Sequence, residues 1–296
     1  MTKPYRLGLY EKALPDTLTW EQKLMETHIC GFDWLEISID ESQPRLDRLT
    51  MSKKERASLR NLSFQLETPI STMCLSGHRR YPLGSHDTRK RSKALEIMRR
   101  AIELAGDLGV RVIQLAGYDV YYETADDSTR GWFLENLFQC VHMAQQYGML
   151  LGFETMETSF MDTVSKAMAY VDCVASPYLG IYPDIGNLKN AHLLYGSDMD
   201  ADLKAGKGHI LAAHLKETRP NVYRNLLFGD EHTEYVPCVH ALYSMGVRMF
   251  TAEFWCASPE TDRSRLLQAS LFLTRQIDQA VSTCKEKSVS YTHLTL

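Results

Sequence analysis

The stretch GIYPDIGN, residues 180–187, ends a predicted strand on a proline and an aspartate. Residues 179–182 have the apolar character of a short buried strand, and Pro183 cannot donate to a strand ladder, so the strand must stop there. Asp184 is thereby left at a strand tip, before a glycine and an asparagine that predict a turn. On this stretch alone, a capping role and a functional role for the carboxylate are equally supported.

The same pattern recurs along the whole chain, where short apolar runs alternate with longer stretches of helical periodicity. The eight runs are RLGLY (6–10), WLEISI (34–39), ISTMCL (70–75), VIQLAG (112–117), LLGFE (150–154), LGIYPD (179–184), ILAAHL (210–215) and MFTAEF (249–254). The predicted helices lie at 20–30, 53–66, 90–108, 127–147, 163–174, 201–206, 233–245 and 261–285.

Eight strand and helix units without a break in composition predict an α/β fold, a single (β/α)8 TIM barrel. A doubly wound open sheet is the alternative, but no glycine-rich phosphate loop follows the first strand in RLGLYEKALP.

We expect one catalytic domain at residues 1–287. The chain closes with KSVSYTHLTL, which carries no barrel pattern, and residues 288–296 are predicted to be a disordered or non-native tail.

Composition narrows the classes of function. The 296 residues carry a net charge of -4 and a pI near 6.2, which gives no basic footprint for nucleic acid. No window approaches the roughly 20 apolar residues of a membrane helix. Seven scattered cysteines without a CxxC pair, together with the absence of a signal peptide in MTKPYRLGLYEK, predict a cytoplasmic protein with packed, free thiols.

Four consecutive strands present a metal-capable side chain at their ends: Glu154, Asp184, His214 and Glu253. In a βα barrel these ends converge on one mouth, so the four side chains are expected to meet there. Oxygen ligands with one imidazole suit a single divalent ion such as Mn²⁺, Mg²⁺, Zn²⁺ or Co²⁺. The sequence therefore predicts a metal site.

Six motifs carry a family resemblance: GFETM, YPDIGN, HLKET and AEFW, with MCLSGHRRYPLGS and VIQLAGYDVYY upstream. The chain to about Cys284 resembles the L-ribulose-5-phosphate 3-epimerases, also called L-xylulose-5-phosphate 3-epimerases, of the xylose-isomerase-like barrels. The resemblance implies that the four residues bind the metal and that Glu154 and Glu253 are the catalytic acid/base pair. It also implies a route of pentose or L-ascorbate catabolism. The loop FGDEHTEY (228–235) departs from the family pattern.

Such an enzyme would remove and return the proton at carbon 3 through a metal-stabilised enediolate, with one glutamate on each face of the sugar. Asn187 is expected to reach a substrate hydroxyl. A phosphate would need cations at the same mouth; the candidates are His78, Arg79, Arg80, Lys12 and Lys216.

The alternatives are an epimerase or isomerase of unphosphorylated ketoses and a non-catalytic sugar-phosphate-binding barrel. The partner is expected to be a small sugar phosphate, and a homo-oligomer is possible.

Overall fold

The computed structural model of the protein describes residues 3–229, 232–256 and 262–292. Eight strands alternate with helices along these residues. The strands are β1 (Arg6–Tyr10), β2 (Trp34–Ile39), β3 (Ile70–Leu75), β4 (Val112–Ala116), β5 (Leu150–Glu154), β6 (Leu179–Ile181), β7 (Ala213–Lys216) and β8 (Met249–Glu253). The α-helices are α1 (Trp20–Ile29), α2 (Gln43–Leu46), α3 (Lys53–Gln65), α4 (Thr88–Leu108), α5 (Asp127–Gln146), α6 (Val164–Val174), α7 (Ile185–Tyr195), α8 (Met199–Ala205), α9 (Tyr235–Ser244) and α10 (Arg263–Thr292).

The strands form one parallel sheet in the order β6, β5, β4, β3, β2, β1, β8, β7. The remaining gap between β6 and β7 is closed by two isolated parallel bridges, Ile181 with Ile210 and Asp184 with His214. Closure is tight at the second bridge, where the His214 amide donates to the Pro183 carbonyl at 2.9 Å. The sheet is therefore a closed barrel with its helices outside, and the predicted TIM barrel is confirmed.

The segment after β6 differs from the prediction. The strand ends at Ile181, one residue before the predicted end at Tyr182, and a helix, α7, replaces the predicted turn. The Asp184 carboxylate starts this helix by accepting hydrogen bonds from the Gly186 and Asn187 amides at 2.8 and 3.0 Å. A side chain at position 186 would meet the Lys216 carbonyl at 2.7 Å, so only glycine allows this approach between α7 and β7.

The end of the chain also extends further than predicted. Helix α10 reaches Thr292, past the predicted end at residue 285 and into the segment predicted as a tail. Residues 293–296 lie outside the described part of the chain, so the division at residue 287 stays a prediction. Among the described residues, no helix combines the length and the apolar character needed to cross a membrane.

The apolar core lies between the sheet and the helices, but the end of β1 carries a buried charge cluster. Glu11 is fully buried, and its carboxylate oxygens lie 2.6 Å from Lys23 Nζ, 2.9 Å from Arg45 Nη1 and 2.6 Å from Arg48 Nη1. Burial alone would raise the pKa of Glu11, but the arginines and the lysine outweigh burial and hold it far below the usual range. One carboxylate thus contacts three cations from α1, α2 and the turn after α2, of which Arg45 is also paired with Asp16 and Asp40.

Glu11→Gln should lower the free energy of unfolding at pH 7 by about 3–5 kcal/mol, because it leaves buried cations without a counter-charge. Urea unfolding measures this, with the partly exposed Glu103→Gln on α4 as a control expected to change stability by less than about 0.5 kcal/mol. Since the folded pKa of Glu11 is lowered, its contribution is present above the ordinary glutamate pKa and fades as the pH falls. A constant difference between wild type and Glu11→Gln from pH 7 to pH 3 would contradict this account.

Candidate metal centre and active-site cleft

The four side chains predicted at the strand ends meet in the structure. Ligand atoms of Glu154, Asp184, His214 and Glu253 all lie within 4.8 Å of one another, and all four residues are buried. They come from the ends of β5 and β8, from β7, and from the first position before α7. Barrel closure alone brings them together, because neighbouring parallel strands end on the same face.

His214 lies at the centre of the group. Its Nδ1 is 3.1 Å from Glu154 Oε1 and 2.8 Å from Glu253 Oε2, and its Nε2 is 2.7 Å from Glu36 Oε1. Burial alone would lower the pKa of His214, but the surrounding carboxylates outweigh burial and raise it well above the ordinary histidine value. The imidazole therefore stands in a strongly anionic environment.

The ammonium of Lys216 reaches the same group from β7. Its ammonium lies 2.5 Å from Asp184 Oδ2 and 3.8 Å from Glu253 Oε2. Burial, aided by the Glu253 carboxylate, outweighs Lys216 and raises the pKa of Asp184 above the ordinary aspartate value. For Glu253 burial acts in the same direction, but Lys216 and His214 outweigh it and lower the pKa.

The donor set fits a divalent cation. Asp184 Oδ2 and Glu253 Oε2 are both buried. Lys216 lies close to the first and His214 to the second, but neither oxygen accepts a hydrogen bond of good geometry from the described residues. Buried carboxylate oxygens are normally hydrogen-bonded or bound to a metal. Three carboxylates and one imidazole within one ion's reach are the ligands that Mn²⁺, Mg²⁺, Zn²⁺ and Co²⁺ accept.

A cleft opens at the barrel mouth, with Glu154 and Glu253 among the residues that line it. Of the side chains predicted to bind substrate, Lys12, Arg79, Asn187 and Lys216 line it. Asn187 donates from Nδ2 to the Thr155 carbonyl at 2.8 Å, and its buried Oδ1 has no donor among the described residues. That oxygen is available to a hydroxyl in the cleft.

The structure does not bring the other two predicted substrate residues into the cleft. His78 is buried, with Nε2 3.1 Å from the Ala94 carbonyl of α4, and burial lowers its pKa to about 4. Its ring is thus a neutral donor to the helix backbone. Arg80 is exposed, and its guanidinium lies 5.3 Å from the Tyr81 ring centroid. Neither residue is among those that line the cleft.

Arg79 is held by aromatic rings and acids at the cleft mouth. Its guanidinium lies 4.7 Å from the Tyr121 ring centroid, and Nη2 donates to the Tyr118 hydroxyl at 3.3 Å. The Tyr118 hydroxyl donates in turn to Glu157 Oε2 at 3.0 Å, and Arg224 Nη2 donates to Glu157 Oε1 at 3.1 Å. Arg79, through the Tyr118 hydroxyl, and Arg224, directly, are thus both linked to the Glu157 carboxylate.

Sequence reasoning missed several residues of this site. Gln114 in β4 donates from Nε2 to Glu154 Oε2, and Glu36 in β2 contacts His214. Both are polar residues inside otherwise apolar strands, which is a signal that could have identified them. Arg224 was also missed, because it lies in a long loop after β7. In the divergent loop, Asp230 and Glu231 lie outside the described residues.

Comparisons with known proteins agree with this architecture. The model of the xylose isomerase-like TIM barrel family matches residues 26–276. The L-ribulose-5-phosphate 3-epimerase UlaE of Shigella boydii serotype 18 is 40% identical over 270 residues, which are 91% of this chain and 94% of that relative. The resemblance found in the sequence is thereby confirmed.

Solved structures show the same fold. An L-ribulose 3-epimerase matches with a TM-score of 0.78 at 16% identity, over 96% of this chain and 98% of that one. A xylose isomerase-like TIM barrel protein from Mycobacterium smegmatis, solved in complex with magnesium, matches with a TM-score of 0.67 at 16% identity, over 93% of this chain and 97% of that one.

Asp184→Asn and His214→Ala should each reduce the metal content of the purified protein after dialysis, because either change removes one of four ligands. Asn at position 184 keeps an oxygen that can still cap α7, so metal loss in this variant reports on the ligand rather than on the helix. Elemental analysis gives the result, with Asp126→Asn, a cap of α5 outside the cleft, as the matched control. Full occupancy in both site variants would place any bound metal elsewhere.

Proposed function

Because the chain belongs to the L-ribulose-5-phosphate 3-epimerase family of xylose isomerase-like TIM barrels, we propose that it interconverts L-ribulose 5-phosphate and L-xylulose 5-phosphate. The enzyme is an isomerase that inverts carbon 3 of a 2-ketose. The observation that carries the proposal is the convergence of Glu154 and Glu253 on the His214 imidazole at the floor of the cleft.

The two glutamates are suited to moving the proton. β5 and β8 are separated by β6 and β7 around the barrel, so their terminal carboxylates approach a central sugar from different sides. One takes the proton from carbon 3 and the other returns a proton to the opposite face, which inverts the centre. Gln114 orients Glu154 through its amide, while Lys216 stabilises the charged form of Glu253.

Glu154, Asp184, His214 and Glu253 would hold one divalent ion, Mn²⁺, Mg²⁺, Zn²⁺ or Co²⁺. Such an ion supplies a Lewis acid, which is worth several kcal/mol where negative charge develops on oxygens next to carbon 3. Asp184 and His214 lie between the two glutamate-bearing strands, so they bind without competing for the substrate proton. Asn187 Oδ1 accepts a hydrogen bond from a substrate hydroxyl and so orients the sugar.

The outer part of the cleft favours a phosphorylated substrate over a free ketose. Arg79, Lys12 and Arg224 line the mouth, where Lys12 pairs with Asp40 and Arg224 with Glu157. Lys216 lies instead at the metal-ligand end, against Asp184. A guanidinium or ammonium group recognises phosphate through charge-assisted hydrogen bonds. We propose Arg79 and Lys12 as the phosphate contacts, with Arg224 beside them. A free ketose has no anionic group for these cations to bind, and a binding protein would not need two glutamates on opposite faces.

Glu154→Gln and Glu253→Gln, assayed at saturating metal, should each lower the turnover of L-ribulose 5-phosphate by at least about 100-fold, because each removes a proton carrier. Turnover is measured as the rate at which L-xylulose 5-phosphate forms. Glu103→Gln, on the outer face of α4, is the control and should retain wild-type turnover. If either site variant keeps a tenth of wild-type turnover, that residue is not a proton carrier.

Arg79→Ala should lower kcat/KM for the phosphorylated ketose by about 10- to 100-fold, as expected for a lost charged hydrogen bond, and leave activity on the free ketose nearly unchanged. Arg80→Ala is the matched control, because the neighbouring arginine is exposed and outside the cleft. Equal losses on both substrates in Arg79→Ala would indicate a structural role instead. No loss on either substrate would move the phosphate contact to Lys12 and Arg224.

A further inference from the structure

One carboxylate near the metal centre is not part of the cleft. Glu36, in the middle of β2, is fully buried, and its Oε1 lies 2.7 Å from His214 Nε2. It does not line the cleft and therefore does not meet the substrate. A fully buried carboxylate is costly unless it is hydrogen-bonded, so its presence requires an explanation in the structure.

Hydrogen-bond donors surround Glu36 on its other oxygen. Thr72 Oγ1 donates to Glu36 Oε2 at 2.7 Å, and the Tyr182 hydroxyl donates to the same oxygen at 3.0 Å. Each donor is itself oriented from behind: Trp34 Nε1 donates to Thr72 Oγ1 at 3.2 Å, and Thr251 Oγ1 lies 2.7 Å from the Tyr182 hydroxyl.

The number of protons decides the direction of these bonds. A hydroxyl has one proton, and both Thr72 and Tyr182 spend it on Glu36, so Thr251 must donate to Tyr182. Oε2 of Glu36 is thus occupied by two donors, and Oε1 is the oxygen that faces His214 Nε2 at 2.7 Å. Because a carboxylate oxygen is an acceptor, this contact is a hydrogen bond when the histidine donates from Nε2.

We propose that Glu36 is a positioning residue that keeps the proton of the metal-binding His214 on Nε2 and so presents the lone pair of Nδ1 to the metal. Nδ1 faces Glu154 Oε1 at 3.1 Å and Glu253 Oε2 at 2.8 Å, which is the side of the ring where the ligands meet. The inference rests on the metal site of the proposed function, and it assigns the ligating nitrogen.

Two consequences follow for the centre. A carboxylate behind a metal-bound imidazole fixes the ring and raises its basicity, and loss of such a partner typically weakens metal affinity by about 10- to 100-fold. Tyr182, whose hydroxyl donates to Glu36, also directly precedes Pro183 and Asp184 in the chain. The same carboxylate therefore supports two ligands, His214 directly and Asp184 through the chain.

The first experiment uses wild-type protein labelled with ¹⁵N-histidine and loaded with Zn²⁺, which is diamagnetic. NMR of the imidazole nitrogens should show the His214 proton on Nε2 and none on Nδ1, with the signal assigned by its absence in His214→Asn. A proton on Nδ1 in the zinc-loaded protein would overturn the proposal. This measurement needs no folded variant of Glu36.

The second experiment compares Zn²⁺ affinity, by competition with a chelating indicator, in wild type and Glu36→Gln. We expect about 10- to 100-fold weaker binding in Glu36→Gln and no change in Glu103→Gln. Unfolding of the metal-free proteins is measured in parallel, because a merely structural role would lower that stability and leave Zn²⁺ affinity unchanged. Affinity within twofold of wild type in Glu36→Gln would contradict the proposal.

His214→Ala and Asp184→Asn separate this inference from the proposed function. If both lose Zn²⁺ while Glu36→Gln keeps wild-type affinity, only the role of Glu36 is wrong. If both keep Zn²⁺, the metal site itself is wrong, and the role of Glu36 falls with it.

Discussion

The structure depends on offsetting the mutual repulsion of four carboxylates buried inside the barrel: Glu36, Glu154, Asp184 and Glu253. Burying like charges together is unfavourable unless cations and hydrogen-bond donors offset it. The His214 imidazole and the Lys216 ammonium, both from β7, contact this group. The bridge that closes β6 onto β7 joins Asp184 to His214. Barrel closure and the assembly of the site are thus one structural event.

The cleft is divided by charge from floor to mouth. The floor holds carboxylates that suit a divalent ion, and the mouth holds the cations Arg79, Lys12 and Arg224. A ligand with a polar, oxygen-rich end and an anionic end is complementary to this arrangement in one orientation only. Glu157 also lines the cleft, where it accepts hydrogen bonds from Tyr118 and Arg224. The division gives a physical reason for a sugar phosphate to enter with its carbonyl end first.

Sequence patterns predicted the eight strands and the four strand-end residues well, because barrel strands present their carboxyl ends on one face. Helix α7 was missed because Gly186 and Asn187 resemble a turn, whereas capping by Asp184 and close packing on β7 favour a helix. The partnership of Glu36 with His214 joins residues 178 positions apart, so no local pattern reveals it. Arg79 and Arg80 are adjacent in sequence, but their side chains point in different directions. The turn after β3 sets these directions, and the sequence alone does not show them.

The central claim is that this site moves the proton at carbon 3 of a pentulose 5-phosphate with the help of a divalent ion. The most direct measurement is deuterium incorporation from D₂O into L-ribulose 5-phosphate, followed by NMR at carbon 3, after metal removal and again after readdition of Mn²⁺, Mg²⁺, Zn²⁺ or Co²⁺. The account predicts exchange confined to carbon 3, lost with the metal and restored by at least one of these ions. Undiminished exchange in the metal-free protein, or no exchange at carbon 3 with any of the ions, would contradict it.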